Sequence, residues 1–410
     1  MNTASITHRF DRMRLAPAAD GLAIAVAVSL PWSTSATSIL LALWLLALIP
    51  TLNWESLRSV LATPAGCLPV LLVVLGALGM LWADVSLVER WKGLESFFKL
   101  LVIPLLFVQF RRSDKALWVF GGYGAACVLL FLLSSIFYIW PGTAFLFTQD
   151  PAVPVKNAAT QSGEFVTCIF GFLFVAVDAF VTKRWLRLLG LAFAVIGMLV
   201  NIMYVATGRT ALVIIPVLLA ILAFKRLSTK GILMLFVAAI VLGSAGWFSS
   251  PYLRTRVTQI WTDAQKYQET KEVNSSGQRL DFWKNSAAFV AQAPVLGHGT
   301  GSIPSLFRSL AAEKNMMGFE TSNPHNQTFT VAIQIGLVGA FVLWAMWIAH
   351  LLLFRDGGLA EWIGLVVVVQ NMIGSLFNSH LFDFGQGWVY MLGVGVAGGV
   401  ALKNRAARTP

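Results

Sequence analysis

The chain has 410 residues, of which 57% are apolar and only 12% charged, with a mean hydropathy of +0.73. A soluble domain carries about 25% charged residues, so a water-soluble globular protein is excluded. The net charge of +11 comes from cations lying mostly in short loops, so it reads as membrane topology rather than as a nucleic-acid surface.

In chain order, the predicted spans lie near Gly21–Pro31, Ala36–Thr51, Gly66–Ala83, Phe97–Phe110, Ala116–Trp140, Phe165–Thr182, Leu186–Ala206, Thr210–Phe224, Gly231–Ser249, His325–Phe354, Leu359–Asn378 and Phe384–Leu402. Each is an apolar run of the kind that crosses a bilayer core as a helix. None shows the alternation of a strand barrel. The reading is an all-α polytopic membrane protein with about twelve transmembrane helices. The basic opening stretch His8–Arg14 and the apolar run after it also resemble a signal peptide, but the charge count needs a retained first span. With the N-terminus in the cytoplasm, seventeen of the 30 Lys and Arg residues fall in inner segments, five in short outer ones and eight in one long outer loop.

Residues 1–410 then form one integral membrane domain, with residues 250–322 as a loop inserted between the ninth and tenth spans. That loop holds Trp261, Arg279, Trp283, a glycine-rich stretch at Gly297–Gly301 and a short helical pattern at Ile303–Glu313. Its aromatic and apolar residues predict order, and loops of such length are commonly functional. A second outer segment, Asp84–Lys99, with Trp91, Phe97 and Phe98, reads either as an interfacial amphipathic helix or as a plain extension of the next span.

Three residues on the outer side have chemical potential. Arg209, in Ala206-Thr-Gly-Arg-Thr-Ala-Leu212, opens a span. An arginine opposes the dipole of a helix N-terminus unless an anion is present, so it marks either an anion site or a side chain reaching to lipid headgroups. Arg279 follows Ser275 and Gln278, which have capping-box spacing, and so falls in the first turn of a helix. It is suited to phosphate, or is a solvated cation paired with Asp281 or Glu272. His325 lies in Thr321-Ser-Asn-Pro-His-Asn-Gln327. Taking Asn323 as N-cap and Pro324 as first helical residue puts His325 in the first turn of a long span, where the dipole favours the neutral ring. A neutral ring can act as general base, or can simply bond headgroups or backbone.

Gly336 and Gly339 read as small residues that allow close helix approach. Asp383, in an outer loop beside His380, either orients an acceptor or is a solvated turn. Glu164 reads as the start of a span, and Asp178, near the inner end of one, as an interface or packing residue. Cys67, Cys127 and Cys168 form no CxxC pair. With no DxD, HExxH or His/Cys cluster, no metal and no cofactor are expected.

His325-Asn326, nine residues, Gly336, two residues and Gly339 resemble the signature H-[NSQ]-x9-G-x-x-G of the O-antigen ligase superfamily. That superfamily also contains O-antigen polymerases and protein O-oligosaccharyltransferases. Gly208-Arg209-Thr210 and the loop residue Arg279 match two further family features. The resemblance implies a glycosyltransferase C-type fold in a bacterial inner membrane, with both termini cytoplasmic and a periplasmic site. It implies a donor glycan on undecaprenyl pyrophosphate and transfer to lipid A–core, with membrane lipids as surroundings and no nucleic acid. His325 is then the catalytic residue and Arg209 and Arg279 hold pyrophosphate. Asp383 and Asn326 are possible acceptor or supporting residues. An inverting displacement fits, since no carboxylate is placed as nucleophile. Polymerases often show R-x10-G in outer loops; here only Arg111 to Gly122 matches, at an inner end. Protein oligosaccharyltransferases usually carry a further C-terminal region, whereas this chain stops soon after its last span. A lipid-glycan transporter would place polar residues through the middle of several spans, and most of these are apolar.

Overall fold

A computed structural model describes residues 3–143, 152–270, 275–313 and 321–408. Among them all regular structure is helical, with no strand. The helices are α1 (Thr3–Ser29), α2 (Thr34–Leu48), α3 (Trp54–Leu61), α4 (Pro64–Gly79), α5 (Leu87–Phe98), α6 (Val102–Phe110), α7 (Ala116–Ile139), α8 (Ala158–Val181), α9 (Trp185–Tyr204), α10 (Arg209–Arg226), α11 (Thr229–Ser249), α12 (Pro251–Thr270), α13 (Ser275–Gln292), α14 (Ile303–Glu313), α15 (Gln327–Leu353), α16 (Leu359–Gly374) and α17 (Phe384–Ala406). Among the described residues, eight helical stretches are long and apolar enough to cross a membrane. A ninth arises if α3 and α4, bent by 89° at their junction, count as one span; Leu15–Ser29 and α16 are shorter apolar helices. This is the pattern of a multi-pass membrane protein.

Of these candidate spans α17 is the best covered, 72% buried over its apolar window, whereas α11 is 6% buried at a mean hydropathy of 2.2. In water that exposed surface would drive aggregation; in lipid it is solvated. At the centre, α17 packs on α6 and α16. A Cβ on Gly395, Gly398 or Gly399 would sit within 2.6 Å of Leu106, Phe107 or Phe110, so close helix approach depends on the glycine stripe of α17. The expected role of Gly336 and Gly339 in helix approach is corrected: Gly339 faces side chains of its own helix, Ile335 and Val331, and Gly336 breaks the helix.

At Ile335 (φ −131°) and Gly336 (φ +69°) α15 leaves helical geometry. The carbonyls of Ile333 and Gln334 accept from His298 N (2.8 Å) and Gly299 N (2.9 Å), and Leu337 N donates to Pro294 O (2.8 Å). The strap 293–301 thus satisfies buried backbone groups that the break sets free. It also reaches the end of α4, where Thr300 donates from N to Gly79 O (3.0 Å) and from Oγ1 to Gly76 O (2.6 Å). A side chain at Gly336 would meet Val295 O at 2.0 Å. Behind the strap, Phe282, Phe289, Phe307 and Ile333 form a separate small core joining α13, α14 and α15. The short helical pattern expected near Ile303–Glu313 is present as α14.

Candidate functional site

Two loops carry most of the polar groups near His325: residues 321–326 before α15 and 375–383 between α16 and α17. They are stitched together by Gln327 N donating to Ser375 O (2.9 Å), Leu381 N donating to Gln327 Oε1 (3.1 Å), and Ser379 Oγ donating to Asn323 Oδ1 (2.7 Å).

The sequence expectation for this helix start is corrected. The N-cap of α15 is Asn326, whose side chain accepts from Phe329 N (3.1 Å) and donates to Leu376 O (3.1 Å). Asn326 therefore supports the helix start. Asn323 instead closes a turn, its Oδ1 accepting from His325 N (2.9 Å), the local bond an asparagine makes two residues on. His325 precedes the helix, at φ +55°. A non-glycine residue in this region stores about 1–3 kcal/mol of backbone strain.

The ring of His325 is fixed on two sides. It stacks on Phe282 at 6.1 Å between centroids and 22° between planes, while Trp283 Nε1 donates to the His325 carbonyl (3.2 Å). Its Nδ1 lies 2.9 Å from Asn378 Oδ1, which also accepts from Asn323 Nδ2 (2.9 Å). Asn378 Nδ2 donates to Asp383 Oδ2 (2.7 Å). The carboxylate end fixes which way the Asn378 amide points, and the amide oxygen then requires a proton on His325 Nδ1. That leaves the Nε2 lone pair free, with no protein partner among the described residues. Burial, then the nearby Arg279 charge, push the His325 imidazolium down from its ordinary value, against the Asn378 bond, which raises it. The ring is neutral at pH 7.

Asp383 is not a solvated turn. Burial pushes its carboxyl up to about 6, while Lys99 opposes the rise. Lys99 Nζ donates to the carbonyls of Phe382 (2.8 Å) and Asp383 (3.3 Å). His380 faces the same charge as His325: burial, then Arg279, push its imidazolium down to about 4.

Arg209 is the first residue of α10, after Gly208. Its anion is supplied by the protein: Asp263 of α12 lies 3.6 Å away. Arg279 sits one turn inside α13. Among the described residues it forms no ion pair with a carboxylate, Asp281 included; Glu272 and the Ser275 side chain lie outside them. Burial, then the Arg209 charge, lower the Arg279 guanidinium from its ordinary value. Two cations that repel each other, one of them half-buried with no carboxylate partner among the described residues, make a local excess of positive charge there beside a neutral histidine.

Glu164, expected at a span start, lies two turns inside α8, buried and paired with Lys156 at 2.9 Å. Sequence reasoning gave Asn323 a different role and assigned none to Asn378, Phe282 or Asp263. Asn378 and Asp383 were both in view, in Asn378-Ser-His-Leu-Phe-Asp383, but nothing in that stretch pairs either with His325.

The arrangement can do three things: accept a proton at His325 Nε2, hold an anion at the arginine pair, and keep the two side by side. The family model Wzy_C, described as O-Antigen ligase, matches residues 193–344, a stretch that includes Arg209, Arg279 and His325. A Haemophilus influenzae (strain ATCC 51907 / DSM 11121 / KW20 / Rd) protein described as "Uncharacterized protein" is 26% identical over 259 residues, 60% of this chain and 61% of that one. The match thus spans about 61% of that relative's length. The family-model match supports the resemblance to the O-antigen ligase superfamily, whose members are ligase- or polymerase-type glycosyltransferases.

Proposed function

We propose that this protein is an O-antigen ligase-type glycosyltransferase, moving a glycan from undecaprenyl pyrophosphate to a lipid A–core saccharide at the periplasmic face of a bacterial inner membrane. In this reading the chain crosses the membrane twelve times, both termini are cytoplasmic, and residues 250–322 face the periplasm. One observation carries the chemistry: His325 Nδ1 lies 2.9 Å from Asn378 Oδ1, beside two arginines, with Nε2 unpartnered among the described residues.

His325 Nε2 takes the proton of the acceptor hydroxyl. The hydroxyl oxygen attacks the anomeric carbon from the face opposite the leaving group. The bond from that carbon to the pyrophosphate oxygen breaks, and its electron pair leaves with the lipid pyrophosphate, so the anomeric configuration inverts. Arg209 and Arg279 meet the charge that develops there, a role that preorganised cations fill without reorganisation. Asp263 holds Arg209 until the donor arrives. Asp383 acts through Asn378 as a positioning residue, holding the tautomer that the base requires. The two guanidiniums supply the charge a divalent metal would otherwise supply, so the reaction is expected to proceed in EDTA.

The test is transfer from undecaprenyl-pyrophosphate glycan to rough lipopolysaccharide by the purified protein in EDTA, followed by gel shift. Wild-type product lost in His325→Ala supports the reading. Equal product from both removes His325 from the chemistry. Glycan lengthened on its lipid carrier, with lipopolysaccharide unmodified, replaces the ligase by a polymerase.

A further inference from the structure

Helix α5 presents two chemically different faces. Glu89, Lys92, Gly93 and Ser96, at helical spacing i, i+3, i+4 and i+7, line a cleft of about 360 Å³. Beside this stripe, Val88 is 64% exposed and Trp91 57% exposed, with Trp91 edge-on to Phe98 at 5.8 Å. An exposed tryptophan stripe on a short amphipathic helix suits the headgroup level of a bilayer. The same helix therefore offers one face to lipid and another to the cleft.

The opposite wall of the cleft is Asn323, Ser379 and Asp383, with Phe382, Ile303 and Pro304 as its apolar part. Neither arginine lines it. Its distance from the base is one side chain: Asn323 Nδ2 and His325 Nδ1 share the acceptor Asn378 Oδ1. The Asn323–Asn378–Asp383 chain thus links the wall of the cleft directly to the base.

The lining selects an occupant. Glu89 is engaged by Arg308 at 3.0 Å and by Ser86. Lys92 Nζ, Ser96 Oγ and Asp383 Oδ1 have no protein partner among the described residues. One cation, two carboxylates and a hydroxyl over an apolar floor suit a ring bearing neutral hydroxyls. A pyrophosphate would meet Glu89 and Asp383. The volume lies in the range of about 300–1,000 Å³ typical of small-ligand sites.

We infer that this cleft receives the acceptor: the hydroxyl-bearing saccharide of a membrane-anchored glycolipid, with α5 contacting lipid on its apolar face and sugar on its polar one. This rests on the glycosyl-transfer reading above, and it adds Lys92 and Ser96 as acceptor-recognising residues.

The experiment uses the full chain with a photoreactive phenylalanine at position 96, irradiated separately with rough lipopolysaccharide and with undecaprenyl-pyrophosphate glycan. Kinetics of Lys92→Ala run alongside, since that exposed side chain supports no packing. Capture of lipopolysaccharide is expected, as is an acceptor KM about fivefold higher in Lys92→Ala, the loss of one hydrogen bond, with donor KM unchanged. Capture of the donor alone, or a change confined to donor KM, overturns the inference while an active wild type leaves the ligase reading in place. Lipopolysaccharide captured by a chain whose wild type transfers nothing to it keeps the cleft and removes the ligase. No capture with an inactive wild type removes both.

Discussion

Asn378→Ala isolates the positioning role of the amide. It deletes three bonds: one to the Asp383 carboxylate at 2.7 Å and one each to His325 and Asn323 at 2.9 Å. A bond to a charged group contributes about 1.5–3 kcal/mol and a neutral one about 0.5–1.5 kcal/mol. Only part of that sum reaches the reaction. Released from Asn378, the imidazole is free to carry its proton on Nε2, and in that tautomer it cannot accept one there. General base catalysis contributes about 10²–10⁴ in rate, so a kcat loss of about 10²-fold is expected, equal to about 2.7 kcal/mol. Donor KM should hold, because neither arginine bonds to Asn378. The assay is initial transfer rate in detergent over a series of donor concentrations, for Asn378→Ala, His325→Ala and the double variant. Since Asn378 acts through His325, the double variant should be no slower than His325→Ala. A kcat within threefold of wild type, or losses that multiply in the double variant, would refute the argument.

Burial raises the Asp383 carboxyl to about 6, so below that pH the group is protonated and grips the Asn378 N–H less well. The transfer rate should rise with pH through about 6 and level off, since the His325 imidazolium is already lowered. In Asp383→Asn that acid limb should vanish and the plateau fall about tenfold; a limb that survives unchanged assigns it to another group. Gly336→Ala places a Cβ 2.0 Å from Val295 O at a φ of +69°, and should lower stability by about 2 kcal/mol or more, seen as a lower melting temperature in detergent. Gly121→Ala, with nothing within 4 Å of its Cβ, is the control and should be neutral.

The helices were legible because apolar runs of bilayer length have few other solutions, and the short helical pattern near Ile303–Glu313 reappears as α14. Arg209 at a helix start followed from the Thr-Gly-Arg step. His325 was found from its setting, but the reason first given for its neutrality, a place in the first helical turn, gives way to burial and Arg279. The break in α15 was invisible because Ile335 and Gly336 sit in a span that is apolar around them apart from Gln334; only the strap from residues 293–301 makes non-helical backbone tolerable there. The Asn378 link and the Arg209–Asp263 pair join residues 53 or more positions apart. Hydrophobic periodicity carries no record of which polar loop will meet which.

The order in which the ring of groups around His325 is synthesised has a consequence for the growing chain. Arg209 emerges early, with Asp263 soon after to neutralise it. Arg279 and Phe282 come next, then His325, and Asn378 and Asp383 almost last, at the mouth of α17. A nascent chain that has completed α15 already holds both arginines and His325, but its histidine has no fixed tautomer. On the proposed function, activity is therefore expected only with the final helix, and a chain truncated before residue 378 should keep the arginine pair without a working base.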